Sequence, residues 1–299
     1  MNNIKSNFSI KDLENLSGIK AHTIRIWEKR YNLLEPERTD TNIRYYNLSS
    51  LQKLMNVSFL NENGYKISKI AALQKDKIPA LVREIALKSN ENNYAIQSFK
   101  FAMLNFDQFL FYDTYNKLAK EKTFKSIFYD VFIPLLSEIG LLWQTDTITP
   151  AHEHFISTLI RQKIIASTET FQSANQNDST KTFVLFLPDN EVHELGLMFV
   201  NHEIISKGYH SILLGQSVPM NSLLDLLNHY DDVTYVSYFT IKPEKDDIES
   251  YLNEFEEKII SKGTSKLWVL GKMLEHIDTD SLPKKIRAFK SIDEIVEEL

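Results

Sequence analysis

Apolar residues recur every three or four positions through the first 170 residues, then give way to short unbroken runs separated by amphipathic stretches. From Ser9 to Ser17 the apolar positions are Ile10, Leu13 and Leu16, one face of a helix. Ser9 can cap its start, and Gly18 suits a tight turn into a second helix from Lys20 to about Tyr31. Between Leu33 and Tyr46 the period disappears and Pro36 intervenes, which predicts an extended wing. Helical spacing returns from Leu48 to Asn63, with Leu51, Leu54, Met55 and Leu60 on one side, and stops at Gly64.

The same period continues through residues 79–172. Leu81, Ile85, Phe99, Met103 and Phe106 mark the earlier helices, and Phe109, Tyr112, Leu118, Ile127, Val131 and Leu135 the later ones. A four-helix bundle follows. Residues 173–180 contain no apolar residue larger than Ala and read as a linker. Beyond them, strands are expected at 182–187, 211–214, 233–238 and 266–270. Helices are expected at 194–207, 221–229 and 245–262, and from Ile292. Thr182–Leu187 lacks alternation, as in strands covered on both faces. The fold class is multidomain α and α/β: a winged helix-turn-helix head (1–78), a helical bundle (79–172), a linker (173–180), and a flavodoxin-like, Rossmann-type doubly wound parallel sheet (181–299).

The chain of 299 residues contains no cysteine, which excludes disulfides, thiolate nucleophiles and Cys-based zinc or iron–sulfur sites. It has no run of 18 apolar residues and its start lacks a signal-peptide core, so a cytoplasmic protein without a membrane span is expected. The net charge of −6 is unevenly placed. Residues 1–80 carry 13 Lys+Arg against 8 Asp+Glu, a net +5, which leaves −11 on the rest. A basic head on an acidic body points to an anionic polymer met by the head alone.

In a helix-turn-helix the second helix enters the major groove and needs polar and basic residues near its start. Lys20, His22, Thr23 and Arg25 occupy such positions and Arg30, further along the helix, joins them as a DNA contact, while Ile24 and Trp27 can face inward; Arg38, Arg44 and Tyr45 on the wing can reach phosphates. Phe8-Ser-Ile10, Gly18, Thr23-Ile-Arg-Ile-Trp-Glu-Lys-Arg-Tyr31, Leu34, Pro36, Arg38 and Arg44-Tyr45-Tyr46 resemble the DNA-binding domain of the MerR family over about 70 residues. The resemblance implies a dimer on a promoter palindrome of double-stranded DNA. Metal-sensing members use cysteines, which this chain lacks.

In the body, Trp143 is followed after nine residues by Glu153-His154, and Glu191-Val-His193-Glu-Leu-Gly196 follows the first strand of the α/β part. Singly, a Trp at a helix end reads as core, His154 as a surface histidine, and Glu191 as a helix-start carboxylate. Together they resemble the ligand-binding part of MerR-type light-responsive repressors of carotenoid synthesis, which use adenosylcobalamin. The resemblance implies that the bundle, through Trp143, Glu153 and His154, covers the upper face of the corrin. It implies His193 as the lower axial ligand of cobalt, with Glu191 behind it. Gly196, Ser237 and Gly271 would then line the nucleotide tail. A neutral imidazole whose second nitrogen is fixed by a carboxylate is chemically apt for this role. The chain departs from the family pattern in three places. Ser237-Tyr-Phe239 stands for Ser-x-Leu, Gly271-Lys272 for Gly-Gly, and Gln144 for the His that follows the Trp in photoreceptor members.

The resulting expectation is a non-enzymatic DNA-binding repressor. Its body senses adenosylcobalamin, and light through it, by a change of homo-oligomeric state. Two alternatives stay open: a cobalamin-independent regulator set by a protein antirepressor, and a cobalamin-carrying module of an enzyme. The second is disfavoured because about 120 residues of α/β domain leave no room for a catalytic barrel.

Overall fold

The computed structural model describes residues 7–39, 41–74, 77–86, 91–145, 147–172, 181–230 and 232–299, so the expected linker 173–180 lies outside the described residues. The chain divides into two compact units, Met1–Leu159 and Ile160–Leu299.

The first unit opens with β1 (Asn7–Phe8), α1 (Ile10–Ser17), α2 (Ala21–Tyr31), β2 (Glu37–Arg38) and β3 (Arg44–Asn47). Ser9 and Asp12 form a reciprocal capping box at α1, and Gly18 closes it at φ +73°, where a side chain would be strained. The strands form an antiparallel sheet in the order β1-β3-β2, pairing Phe8 with Tyr46 and Arg38 with Arg44. Buried Phe8, Leu13, Leu16, Ile24, Trp27 and Tyr46 make the head's core.

Next come α3 (Leu48–Glu62), α4 (Ile67–Ala71), α5 (Lys77–Ala86), α6 (Glu91–Asn105) and α7 (Gln108–Leu118), then α8 (Phe124–Ile127) and α9 (Ile133–Gln144), joined by a π-helical stretch, Phe128–Phe132. Phe124–Gln144 is long and apolar enough to cross a bilayer, and its Phe128, Val131, Phe132, Leu135, Ile139 and Leu142 are buried among the helices of this unit. The rings of Phe99, Phe111 and Phe132 meet at centroid distances of 4.9–6.4 Å. Phe109, expected in this core, is 87% exposed. On α7 the inward residues are Phe111, Thr114 and Leu118, and Phe109 stands about 200° around the helix from Phe111. Buried Lys100 donates to Glu138 Oε2 at 2.6 Å and to the Leu16 carbonyl at 3.4 Å, tying α6 to the end of α1.

Helix α10 (Pro150–Gln172) precedes β4 (Thr182–Phe186), α11 (Leu195–Ser206), β5 (His210–Gly215), β6 (Val233–Tyr238), α12 (Ile248–Lys258), β7 (Lys266–Leu270), β8 (Ile286–Phe289) and α13 (Ile292–Glu298). The five strands are parallel in the order β5-β4-β6-β7-β8. This is the doubly wound flavodoxin-like order, whose switch point lies between β4 and β6. Val184, Phe186, Tyr235 and Val269 share one core with Ile248, Leu252 and Phe255 of α12. The α-helix expected at 221–229 is instead 3₁₀, Met220–Asn228. Met220 and Leu223 are buried in the core, and Leu224, Leu226 and Leu227 pack against it. β8 had no counterpart in the apolar pattern, because only Ile286 and Phe289 of its four residues are buried.

Candidate functional site

In the head, α2 turns Ile24 and Trp27 inward and leaves His22, Arg25, Ile26, Lys29 and Arg30 exposed, positions spaced to share one face. Thr23 is half-buried and its hydroxyl lies 3.3 Å from His22 Nε2. Lys20 is exposed, just before α2, and pairs with Glu14 at 3.3 Å. Glu14 also accepts the Ala21 N–H at 3.0 Å. That backbone donor first, and then the Lys20 and Lys11 ammoniums, hold its carboxyl at about 2. On the wing, Arg38 donates to Asn42 Oδ1 (2.6 Å) and its carbonyl (3.3 Å), bracing the turn, while Arg44 is exposed. Tyr45 donates to Glu37 at 2.9 Å. Tyr46 is fully buried and donates to Glu28 at 2.5 Å, which makes it a brace between wing and α2. Ile26, 52% exposed on the basic face, and Lys29 complete the surface; the helical spacing from Arg25 was the signal for both.

Trp143, at the end of α9, is 54% exposed and so is not a core residue. At the start of α10, Glu153 Oε2 pairs with His154 Nδ1 at 2.8 Å and Glu153 Oε1 accepts the Ser157 hydroxyl at 2.7 Å. The His154 side chain is largely exposed, whereas His152 is buried and stacked on Phe106 at 4.7 Å. Among the described residues no hydrogen bond, ion pair or ring contact joins Trp143 to the Glu153–His154 pair.

In the second unit the loop after β4 carries a fully buried carboxylate, Glu191. Its Oε1 accepts the backbone N–H of Val192 (2.9 Å) and His193 (3.0 Å) and lies 2.6 Å from His193 Nδ1. Its Oε2 accepts the N–H groups of Thr240 (3.2 Å), Ile241 (2.7 Å) and Lys242 (2.9 Å), from the loop after β6. Burial alone would push this carboxyl up, but the His193 imidazole and the backbone donors outweigh it and hold it at about 2. An ionised Glu191 can only accept, so Nδ1 of His193 carries a proton. The imidazole is half-exposed, and Val192 (53%) and Ile241 (49%), whose N–H groups the same carboxylate holds, are exposed beside it. One buried carboxylate thus holds the His193 imidazole at the switch point of the sheet. Sequence reading placed Glu191 behind His193, but the 240–242 loop is about 50 positions away and nothing in its own pattern betrays the contact. Glu194, next to His193, pairs with Arg161 at 2.6 Å.

The three remaining positions are packed by the protein itself. Ser237 is buried and donates to the Phe186 carbonyl at 2.9 Å, across β6 and β4. A Cβ on Gly196 would lie 2.6 Å from Cε2 of Tyr238. Gly271, at φ +119°, would set a Cβ 2.4 Å from the Phe239 carbonyl oxygen, so glycine is needed there by the backbone crossing itself. Lys272 is exposed.

His193 and Glu191 therefore fit a corrinoid cobalt. The donor is an imidazole whose Nδ1 is held by a buried carboxylate, the partner that metal-ligating histidines commonly have. Among the described residues no three His, Asp or Glu side chains converge on a candidate metal site.

Comparison with known proteins matches two stretches of the chain. Residues 8–77 match the model of the MerR HTH family of regulatory proteins, and residues 95–166 match a B12 binding domain. The HTH-type transcriptional repressor CarH of Myxococcus xanthus is 28% identical over 214 residues, 70% of each chain. CarA of the same organism, also an HTH-type transcriptional repressor, is 25% identical over 219 residues, 72% of this chain and 70% of that one. The monomethylamine corrinoid protein of Methanosarcina barkeri superposes with a TM-score of 0.57 at 11% identity, covering 69% of this chain and 97% of that one, which is a likeness of fold. The chain thus joins a MerR helix-turn-helix domain to a B12-binding domain and is a homologue of the CarH and CarA transcriptional repressors.

Proposed function

We propose that this protein is a cytoplasmic transcriptional repressor that binds operator DNA through its head and reads the presence of adenosylcobalamin through its body. The observation that carries the reading is the Glu191 clamp, in which five backbone N–H groups from two loops hold the carboxylate that in turn fixes the His193 imidazole through Nδ1. His193 would hold the cobalt, and the resemblance assigns exposed Trp143 and the Glu153–His154 pair to the adenosyl group. Bound adenosylcobalamin would supply a light-cleavable cobalt–carbon bond. The exposed face of α2, with His22, Arg25 and Lys29, supports insertion into the major groove, and Arg38 and Arg44 support contacts to flanking phosphates. Homo-oligomers bind the palindrome, and the ligand changes their state only as far as it binds one assembly better than another. Carotenoid-synthesis promoters are the target class that the resemblance implies.

The test mixes the protein with adenosylcobalamin in the dark, desalts it, and records the visible spectrum and the mass before and after green light. Wild type is expected to retain the corrin spectrum, and His193→Ala to lose the spectral signature of imidazole ligation. A colourless wild-type protein overturns the cobalamin reading and leaves a regulator set by a protein partner. A mass that changes on illumination assigns light as the signal, and a constant mass assigns the vitamin itself.

A further inference from the structure

The exposed residues of α2 are His22, Arg25, Ile26, Lys29 and Arg30, so a single aliphatic side chain stands among basic ones. Ile26 is 52% exposed. At roughly 100° per residue it lies about 160° round the helix from buried Ile24, which directs it away from the head's core. His22 and Arg30 stand roughly 40° to either side of it, and Lys29 roughly 60° away. Glu28, the acidic residue of this helix, is turned aside from the stripe and accepts the Tyr46 hydroxyl at 2.5 Å. One exposed isoleucine is ordinary on a protein surface. This one sits inside the basic stripe that DNA phosphates attract.

In the major groove the basic neighbours can bond to guanine edges or to phosphates. Ile26 can do neither, because its side chain has no donor and no acceptor. The apolar group that a base edge offers there is the C5 methyl of thymine. Packed against cytosine or adenine instead, the isoleucine would cover an amino donor and give it no acceptor, which costs binding. We propose that Ile26 is a specificity-determining residue that reads a thymine of the operator by packing on its C5 methyl. The inference rests on α2 being the helix that enters the groove.

The experiment first selects duplexes from a random library with the full-length protein, in the dark, with and without adenosylcobalamin. Each thymine of the best duplex is then replaced in turn by deoxyuridine, which lacks only the C5 methyl, and binding is read by fluorescence anisotropy. Wild type is expected to lose about fourfold in affinity at one thymine position, the worth of one methyl removed from water. At that position Ile26→Ala is expected to bind the two duplexes equally and Ile26→Val to keep a preference for thymine, with circular dichroism verifying that both are folded. Wild type that tolerates deoxyuridine within about 1.5-fold at every position overturns the role of Ile26 and leaves the basic stripe as the DNA contact, as does Ile26→Ala that keeps the thymine preference. A library from which wild type enriches no sequence overturns α2 as the reading helix, and this inference with it.

Discussion

Replacing Glu191 by Gln tests the clamp with almost no change in shape. The glutamine offers one accepting oxygen where the carboxylate offers two. Whichever way the amide turns, its NH₂ faces three donors: Val192 N–H, His193 N–H and Nδ1 on one side, or the N–H groups of residues 240–242 on the other. The size of the loss follows from the titration of the native group. A carboxyl held at about 2 rather than at its ordinary 4.5 stabilises the fold by about 3 kcal/mol at neutral pH. The folded value lies below the unfolded one, so this contribution is complete above about pH 4.5 and is lost as the pH falls towards 2. Hydrogen exchange on the segments around 186–196 and 238–244 reads it locally, where about 3 kcal/mol corresponds to roughly 100-fold faster exchange. Glu191→Gln is therefore expected to lose about 100-fold protection in both segments at pH 7, and the gap to wild type should narrow as the pH drops below 4.5. Protection lowered in one segment only would refute the bridging role. A gap that persists undiminished at pH 3 would refute the electrostatic account of its size.

Two further outcomes follow from the geometry. Arg25→Ala should weaken DNA binding with the body's fold unchanged, at a cost of about 1–3 kcal/mol if Arg25 reads a base, and the dependence of affinity on operator sequence distinguishes that from a phosphate contact, which would lower the salt slope by about one. Gly196→Ala should destabilise the protein by about 1–3 kcal/mol through the 2.6 Å approach to Tyr238, and should cost less than about 1 kcal/mol in the Tyr238→Ala background, as measured by a double-mutant cycle in urea.

The elements of the chain were legible wherever local spacing decides them. Ile10, Leu13 and Leu16, with Ser9 and Gly18 at either end, specify α1 without help, because cap and period are properties of neighbouring residues. The unbroken run of β4 likewise announces a strand covered on both faces. Phe109 and the segment Met220–Asn228 were misjudged for a common reason. An apolar residue fits more than one helical phase or period, and only the neighbouring surface selects which. Trp143 shows the converse, since its type predicts burial and its surroundings leave it exposed.

For the site, the spacing of Glu191 and His193 by itself determines that the two can pair, because they are two residues apart in one loop. It also determines that a basic face can form on α2, because the positions lie a helical turn apart. What tertiary structure alone decided is what these groups do. The β5-β4-β6-β7-β8 order brings the loop after β6 beside the loop after β4 and gives Glu191 three more donors from about 50 residues away. The same order lays the ring of Tyr238 on Gly196. Whether a buried carboxylate is costly or stabilising, and whether a glycine leaves space or merely seats a ring, depends on atoms that meet only when the sheet is assembled.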